Sequence, residues 1–85
     1  MAVNLLYFAW VREAVGLDGE SVAPPPEVET IAELVRWLGG RGGGYAAAFA
    51  DPARVRAAVD NAFAGADTAI AGAREIALFP PVTGG

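Results

Sequence analysis

The chain has 85 residues and a mass of 8.7 kDa, enough for one small domain with a single hydrophobic core and too little for two. It contains neither cysteine nor histidine, and its six basic residues are all arginines, which excludes disulfides, thiol nucleophiles, imidazole bases, cysteine or histidine zinc sites and lysine Schiff bases. A net charge of −4 argues against nucleic acid and anionic membranes as partners, because both require a basic surface.

The first part of the chain predicts a strand, a short helix and a second, weaker strand. Residues 3–9 form an apolar run rich in β-formers, which predicts a strand buried on both faces near the centre of a sheet. Apolar residues at helical spacing within residues 10–15 predict a helix that ends at Gly16. Residues 19–22 predict the weaker strand, which the prolines at 24–26 end because proline cannot donate a ladder hydrogen bond.

The helix that follows has the clearest signals. Thr30 and Glu33 match the capping box, in which each side chain bonds the other residue's backbone amide. Gly39 and Gly40 end the helix. Its apolar residues repeat at helical spacing and need a sheet to cover them: Ile31, Leu34, Val35 and Leu38.

The second half of the chain changes from helix to strand. The strand at residues 3–9 and the last strand are the most apolar of the whole chain. We therefore expect these two strands to pair in the centre of the sheet. Helices packed on one face of a mixed sheet form an α+β roll. We expect the capped helix to cross the sheet, as it does in a β-grasp. The predicted elements are a helical piece at residues 45–50, a turn at Asp60-Asn61, and strands at residues 54–59, 62–64 and 75–79.

Three other patterns favour structural roles. The glycine-rich run at residues 39–44 follows a helix and lacks the lysine of a phosphate-binding loop, so it predicts a flexible connection between helices. The glutamates within residues 27–33 lie where a helix dipole favours acids, and no metal site is predicted from them. Arg54 and Arg56 alternate on a predicted strand and indicate a solvated face.

The C-terminal segment differs from the rest, and we expect a domain at residues 1–79 followed by an extended tail at residues 80–85. Consecutive prolines stiffen the chain, and glycines without a Cβ can enter a narrow channel. Six residues reach about 20 Å at ~3.3–3.6 Å each. A frayed terminus is the alternative. The tail residues are Pro80, Pro81, Val82, Thr83, Gly84 and Gly85.

This tail, preceded by Phe79, resembles the C-terminus of the small, sulfur-carrier subunits of molybdopterin synthase. Residues 7–16 resemble the first strand and helix of that family, with its Phe-Ala-x-Val-Arg-Glu pattern. The resemblance covers essentially the whole chain and implies a ubiquitin-like β-grasp. A bare Gly-Gly end is shared with thiamine-pathway carriers and ubiquitin-like modifiers. The preceding Pro-Pro-Val-Thr favours the molybdopterin synthase family among these. Asp60-Asn61 and Ala73-Arg74 depart from the family pattern at turns.

With no signal-peptide features and no apolar run of about 20 residues, the chain is expected in the cytoplasm. The resemblance implies a sulfur-transfer cycle. An activating enzyme uses ATP to adenylate Gly85, and sulfur supplied by a sulfurtransferase converts the adenylate to a thiocarboxylate. The thiocarboxylate enters the large subunit of a synthase heterotetramer and donates sulfur to cyclic pyranopterin monophosphate. No cofactor is expected on this chain, and the acid–base groups belong to the large subunit.

The resemblance also implies a partner interface at Phe8, Phe63, Phe79 and Arg12, although each phenylalanine could equally be core. Other functions remain open at this stage. The chain could carry sulfur for thiamine, cysteine or tRNA thiolation, or could be a ubiquitin-like modifier that forms isopeptide bonds. It could also be an interaction module with an idle tail.

Overall fold

The elements follow the predicted order along residues 2–81, the part of the chain that the computed structural model describes. No helix in this part has the length and apolar character that a membrane span requires. The helices are α1 (Ala9–Val15), α2 (Ile31–Gly39) and α3 (Gly43–Ala48), with a 3₁₀ turn at Pro52–Arg54. The strands are β1 (Val3–Tyr7), β2 (Gly19–Val22), β3 (Arg56–Val59), β4 (Ala62–Ala64) and β5 (Glu75–Phe79).

The five strands form one mixed sheet in the order β2-β1-β5-β3-β4. The first and last strands pair in parallel, with Leu5 opposite Ile76. The other three pairings, β1·β2, β3·β5 and β3·β4, are antiparallel. The expected central pairing of the most apolar strands is therefore confirmed. The α+β class and the ubiquitin-like β-grasp are confirmed as well.

The helices cover only one face of this sheet, so the prediction that β1 is buried on both faces is wrong. Val3, Leu5 and Tyr7 are buried, whereas Asn4 is exposed and Leu6 is half-buried. Alternate residues of a strand point to opposite faces, and an apolar run does not reveal whether a second layer exists. We call the uncovered side the open face.

Helix α2 supplies the centre of the core as predicted. All four residues of its apolar stripe are buried, against the sheet residues Leu5, Tyr7, Ile76 and Leu78. The capping box is present, because Thr30 Oγ1 accepts from the Glu33 amide at 3.3 Å and Glu33 Oε1 accepts from the Thr30 amide at 3.1 Å. A further hydrogen bond from the Glu29 amide is the main cause that lowers the pKa of Glu33.

Several predicted boundaries move. Strand β1 ends at Tyr7 rather than at residue 9, because Ala9 already belongs to α1. Strand β3 begins at Arg56 rather than at residue 54, because Pro52 opens a 3₁₀ turn that the Asp51 carboxylate caps by accepting from the Ala53 amide at 3.1 Å. Arg54 consequently leaves the strand, and its guanidinium lies 5.0 Å from the centre of the Trp10 ring. Helix α3 begins at Gly43, inside the run predicted to be a flexible connection.

A polar cluster holds this glycine-rich segment against strand β2. The hydroxyls of Tyr7 and Tyr45 both donate to Glu20 Oε2, at 2.8 and 2.6 Å, and Arg41 Nη1 lies 3.6 Å from Glu20 Oε1. The Arg41 guanidinium also lies over the rings of Trp37 and Tyr45. Burial, followed by the hydrogen bond to Glu20, raises the pKa of Tyr7. The cluster is structural, because its members hydrogen-bond and stack on one another.

Two glycines of this region are expected to respond oppositely to alanine. A Cβ on Gly44 would overlap the carbonyl oxygen of Ala14, whereas a Cβ on Gly39 would meet Phe49 Cβ at 3.5 Å, an ordinary contact. We expect Gly44→Ala to lower the free energy of unfolding by about 1–3 kcal/mol through overpacking. We expect Gly39→Ala to raise it by about 0.5 kcal/mol through helix propensity. Urea denaturation followed by circular dichroism measures both, and equal effects would contradict the packing of α3 on α1.

Candidate site on the open face and at the C-terminus

The strand register sets the residues of the open face. Residues paired across neighbouring strands lie on the same side of a sheet. Ala58 of β3 pairs with Phe63 of β4 and with Ala77 of β5, which in turn pairs with Leu6 of β1. These four residues form one apolar row across the open face.

Phe63 and Phe79 form the most prominent part of this face. Phe63 is 85% exposed, and its ring centre lies 6.1 Å from that of Phe79 at an interplanar angle of 58°. The two rings meet diagonally across β3, where Ala58 pairs with Phe63 and Arg56 pairs with Phe79. An exposed aromatic side chain packed against a half-buried one, beside small apolar residues, is typical of a protein-binding surface.

Phe8 extends the same surface beyond the end of β1. Its backbone is still extended, with φ −125° and ψ 154°, so alternation with buried Tyr7 places it on the open side. Its amide donates to the Leu78 carbonyl at 3.1 Å, and its side chain is 46% exposed. All three predicted phenylalanines therefore belong to the open side of the sheet, where Phe63 and Phe79 are in contact.

The predicted tail starts at this end of the sheet. Strand β5 ends at Phe79, and Pro80 and Pro81 continue without regular secondary structure and half-buried. The residue that closes the apolar surface is therefore the residue that precedes the prolines. The remaining predicted tail residues, Val82, Thr83, Gly84 and Gly85, lie outside the described residues.

Arg12 does not share the open face with the phenylalanines. It lies on α1, and its Nε is 3.8 Å from Asp18 Oδ1, with both side chains largely exposed to solvent. An exposed ion pair of this kind contributes little to stability. The structure gives Arg12 a surface position on the helical side, so its predicted interface role stays a prediction.

Arg56 is a candidate site residue that the sequence pattern alone did not identify. Arg54 and Arg56 were expected to share a strand, but only Arg56 belongs to β3, where it pairs with Phe79 on the open face. The side chain of Arg56 is exposed. The alternation of Arg56 with Ala58 was visible in the sequence, but their pairing with Phe79 and Phe63 required the register.

Two concave regions lie away from this surface. A groove of about 660 Å³ is lined mainly by apolar residues of segments 24–28 and 69–73. A smaller depression lies beside the Asp60-Asn61 turn. Its Asp60 carboxylate has a structural role, since it accepts hydrogen bonds from the amides of Arg74 and Glu75. Within residues 2–81 no group of acidic, histidine or cysteine side chains could hold a metal ion.

Known proteins resemble this chain over nearly its full length. The model of the ThiS family matches residues 5–85. Two curated relatives are named molybdopterin synthase sulfur carrier subunit. The one from Escherichia coli strain K12 is 35% identical over 83 residues, covering 98% of this chain and 99% of the relative. The one from Haemophilus influenzae is 30% identical with the same coverage.

Solved structures share the fold. A molybdopterin converting factor, subunit 1, from Pyrococcus furiosus superposes with a TM-score of 0.75 at 24% identity, covering 96% of this chain and 99% of that one. SAMP1 from Haloferax volcanii superposes with a TM-score of 0.71 at 22% identity, covering all of both chains. At these identities the structural likeness supports the β-grasp alone.

Proposed function

The chain belongs to the ThiS family, and from this premise we propose that it is the sulfur carrier subunit of a molybdopterin synthase. The names of the two curated relatives support that pathway. The observation on which the proposal chiefly rests is the continuity between the open face and the tail. A strand that ends in an exposed aromatic surface leads directly into Pro-Pro-Val-Thr-Gly-Gly.

The first step of the proposed cycle activates the C-terminus. A carboxylate is a poor electrophile because it has no good leaving group. On an activating enzyme, the Gly85 carboxylate attacks the α-phosphate of ATP and releases pyrophosphate, which leaves an acyl adenylate. Sulfur that a sulfurtransferase supplies at the oxidation level of sulfide then attacks the acyl carbon, the carbon–oxygen bond to AMP breaks, and a thiocarboxylate is left at Gly85. ATP is thus bound by the partner and not by this chain.

The second step delivers the sulfur. The open face docks on the large subunit of the synthase, and the tail passes from Phe79 into its active site. There the thiocarboxylate sulfur forms a bond to a carbon of cyclic pyranopterin monophosphate and displaces an oxygen leaving group. Water then cleaves the acyl–sulfur bond, which releases the carrier with an ordinary carboxylate. This chain contains no cysteine or histidine, so the large subunit supplies the acid–base groups. Two carriers and two large subunits form the proposed heterotetramer.

Mass spectrometry of the intact chain tests the proposal. Co-expressed with an activating enzyme and a sulfurtransferase, the chain is expected to gain the mass that separates sulfur from oxygen, localised to Gly85. A matched control with one extra residue after Gly85 should show no mass gain, because the carboxyl group of Gly85 is then part of a peptide bond. No mass gain under conditions that charge a known carrier would contradict the proposal.

A second measurement separates the pathway from the chemistry. A carrier for thiamine, cysteine or tRNA thiolation would also gain sulfur at Gly85. Only a carrier for molybdopterin is expected to restore molybdoenzyme activity to a strain that lacks its own synthase small subunit. A chain that gains sulfur at Gly85 but does not complement the strain would still be a sulfur carrier. That result would contradict the proposed role in molybdopterin synthesis.

A further inference from the structure

Arg56 lies beside the aromatic pair of the open face, at the end where the tail begins. Its cross-strand partner is Phe79, the residue before Pro80. Paired residues in neighbouring antiparallel strands have Cα atoms about 4.5–5.5 Å apart. A partner that covers Phe79 and receives the tail therefore also approaches the guanidinium of Arg56.

No carboxylate of the described chain pairs with Arg56. The ion pairs found within residues 2–81 join Arg12 to Asp18 and Arg41 to Glu20. On the open face its paired neighbour is an aromatic residue. Glu75, which belongs to the same face, lies at the opposite end of β5 and pairs with Asn4. Loss of water from Arg56 at an interface would therefore leave a charge without a counterion, which is unfavourable unless the partner supplies one.

We infer that the synthase large subunit presents a carboxylate to Arg56, beside an apolar patch that covers Phe63 and Phe79, at the entrance to the tail's channel. This inference rests on the proposed function and adds the chemistry of the partner surface. Apolar contacts between the face and its partner are non-directional. A guanidinium–carboxylate pair has a fixed geometry, so it orients the carrier and directs the tail into the channel.

Binding of the full chain to the purified large subunit, measured by isothermal titration calorimetry, tests the inference. Arg56→Glu places two carboxylates against each other and is expected to weaken binding about 30-fold or more. Arg56→Met keeps an apolar stem without the charge, and we expect about a tenfold loss. The matched control is Arg36→Glu, which makes the same charge change at an exposed position of α2 on the helical side, and it should change the affinity less than about twofold.

The salt dependence gives an independent readout. Binding of the unmodified chain should weaken as salt rises, and Arg56→Met should show a smaller dependence, because one charge pair has been removed. Circular dichroism melting identifies variants that are folded. Affinity unchanged in both Arg56 variants, or increased in Arg56→Glu, would overturn the inference while the proposed function stands. Failure of the unmodified chain to bind the large subunit would instead count against the proposed function.

Discussion

Removal of Gly85 alone is expected to abolish sulfur transfer while leaving the fold and the affinity for the large subunit unchanged. Shortening the tail by one residue withdraws its terminal carboxylate by about 3.3–3.6 Å. Reacting atoms must approach to about 3–3.5 Å, and even a 1 Å misplacement can cost about 10²-fold in rate. We therefore expect neither the adenylation nor the transfer step to proceed at a measurable rate.

The two steps can be measured separately for this variant. Intact-mass spectrometry after incubation with the activating enzyme and ATP reports charging. A thiocarboxylate introduced chemically at the new terminus, Gly84, bypasses activation and reports transfer in a single turnover with the large subunit. The control is the full-length chain prepared with the same chemical thiocarboxylate. Thiocarboxylate formation or sulfur transfer at the rate of the full-length chain would show that neither step requires a tail of this length, contrary to the proposed function.

The parts of the structure that local signals determine could be predicted from the sequence. The capping box of α2 depends on two residues three positions apart, Thr30 and Glu33, and both hydrogen bonds are present. The central pairing of β1 with β5 followed from their apolar content, since the most apolar strands are best buried in the middle of a sheet. The family resemblance left Phe8, Phe63 and Phe79 open as interface or core residues, and the register explains why Phe63 and Phe79 meet on the open face.

The rest depended on tertiary structure. Leu6 lies within the apolar run of β1, but whether it faces a second layer is decided by elements distant in sequence. The role of Arg54 changed because a proline turn displaced it from β3, where it would otherwise have alternated with Arg56. Arg56 became a site residue only through its pairing with Phe79, which no short-range pattern specifies.

Replacement of Phe63 by aspartate is expected to weaken binding to the large subunit strongly while the chain stays folded. Phe63 is 85% exposed and projects from the short edge strand β4, so folding buries little of its side chain. We expect the free energy of unfolding to fall by no more than about 1.5 kcal/mol, the upper end of what an aromatic pair such as Phe63–Phe79 contributes. An aromatic anchor at an interface typically contributes about 2–4 kcal/mol, which corresponds to a loss of affinity of roughly 30- to 1,000-fold.

A matched control distinguishes this docking role from a general effect of adding charge. Leu17 is also a large exposed hydrophobic residue, 43% exposed, but it lies in the turn between α1 and β2 and not in the apolar row of the open face. Leu17→Asp makes the same apolar-to-acidic change and should bind with nearly unaltered affinity. Calorimetric titration gives the affinities, and thermal melting confirms that both variants are folded. If Phe63→Asp binds as tightly as Leu17→Asp, the carrier docks through some other surface, because an aspartate buried in the proposed interface without a partner would weaken binding.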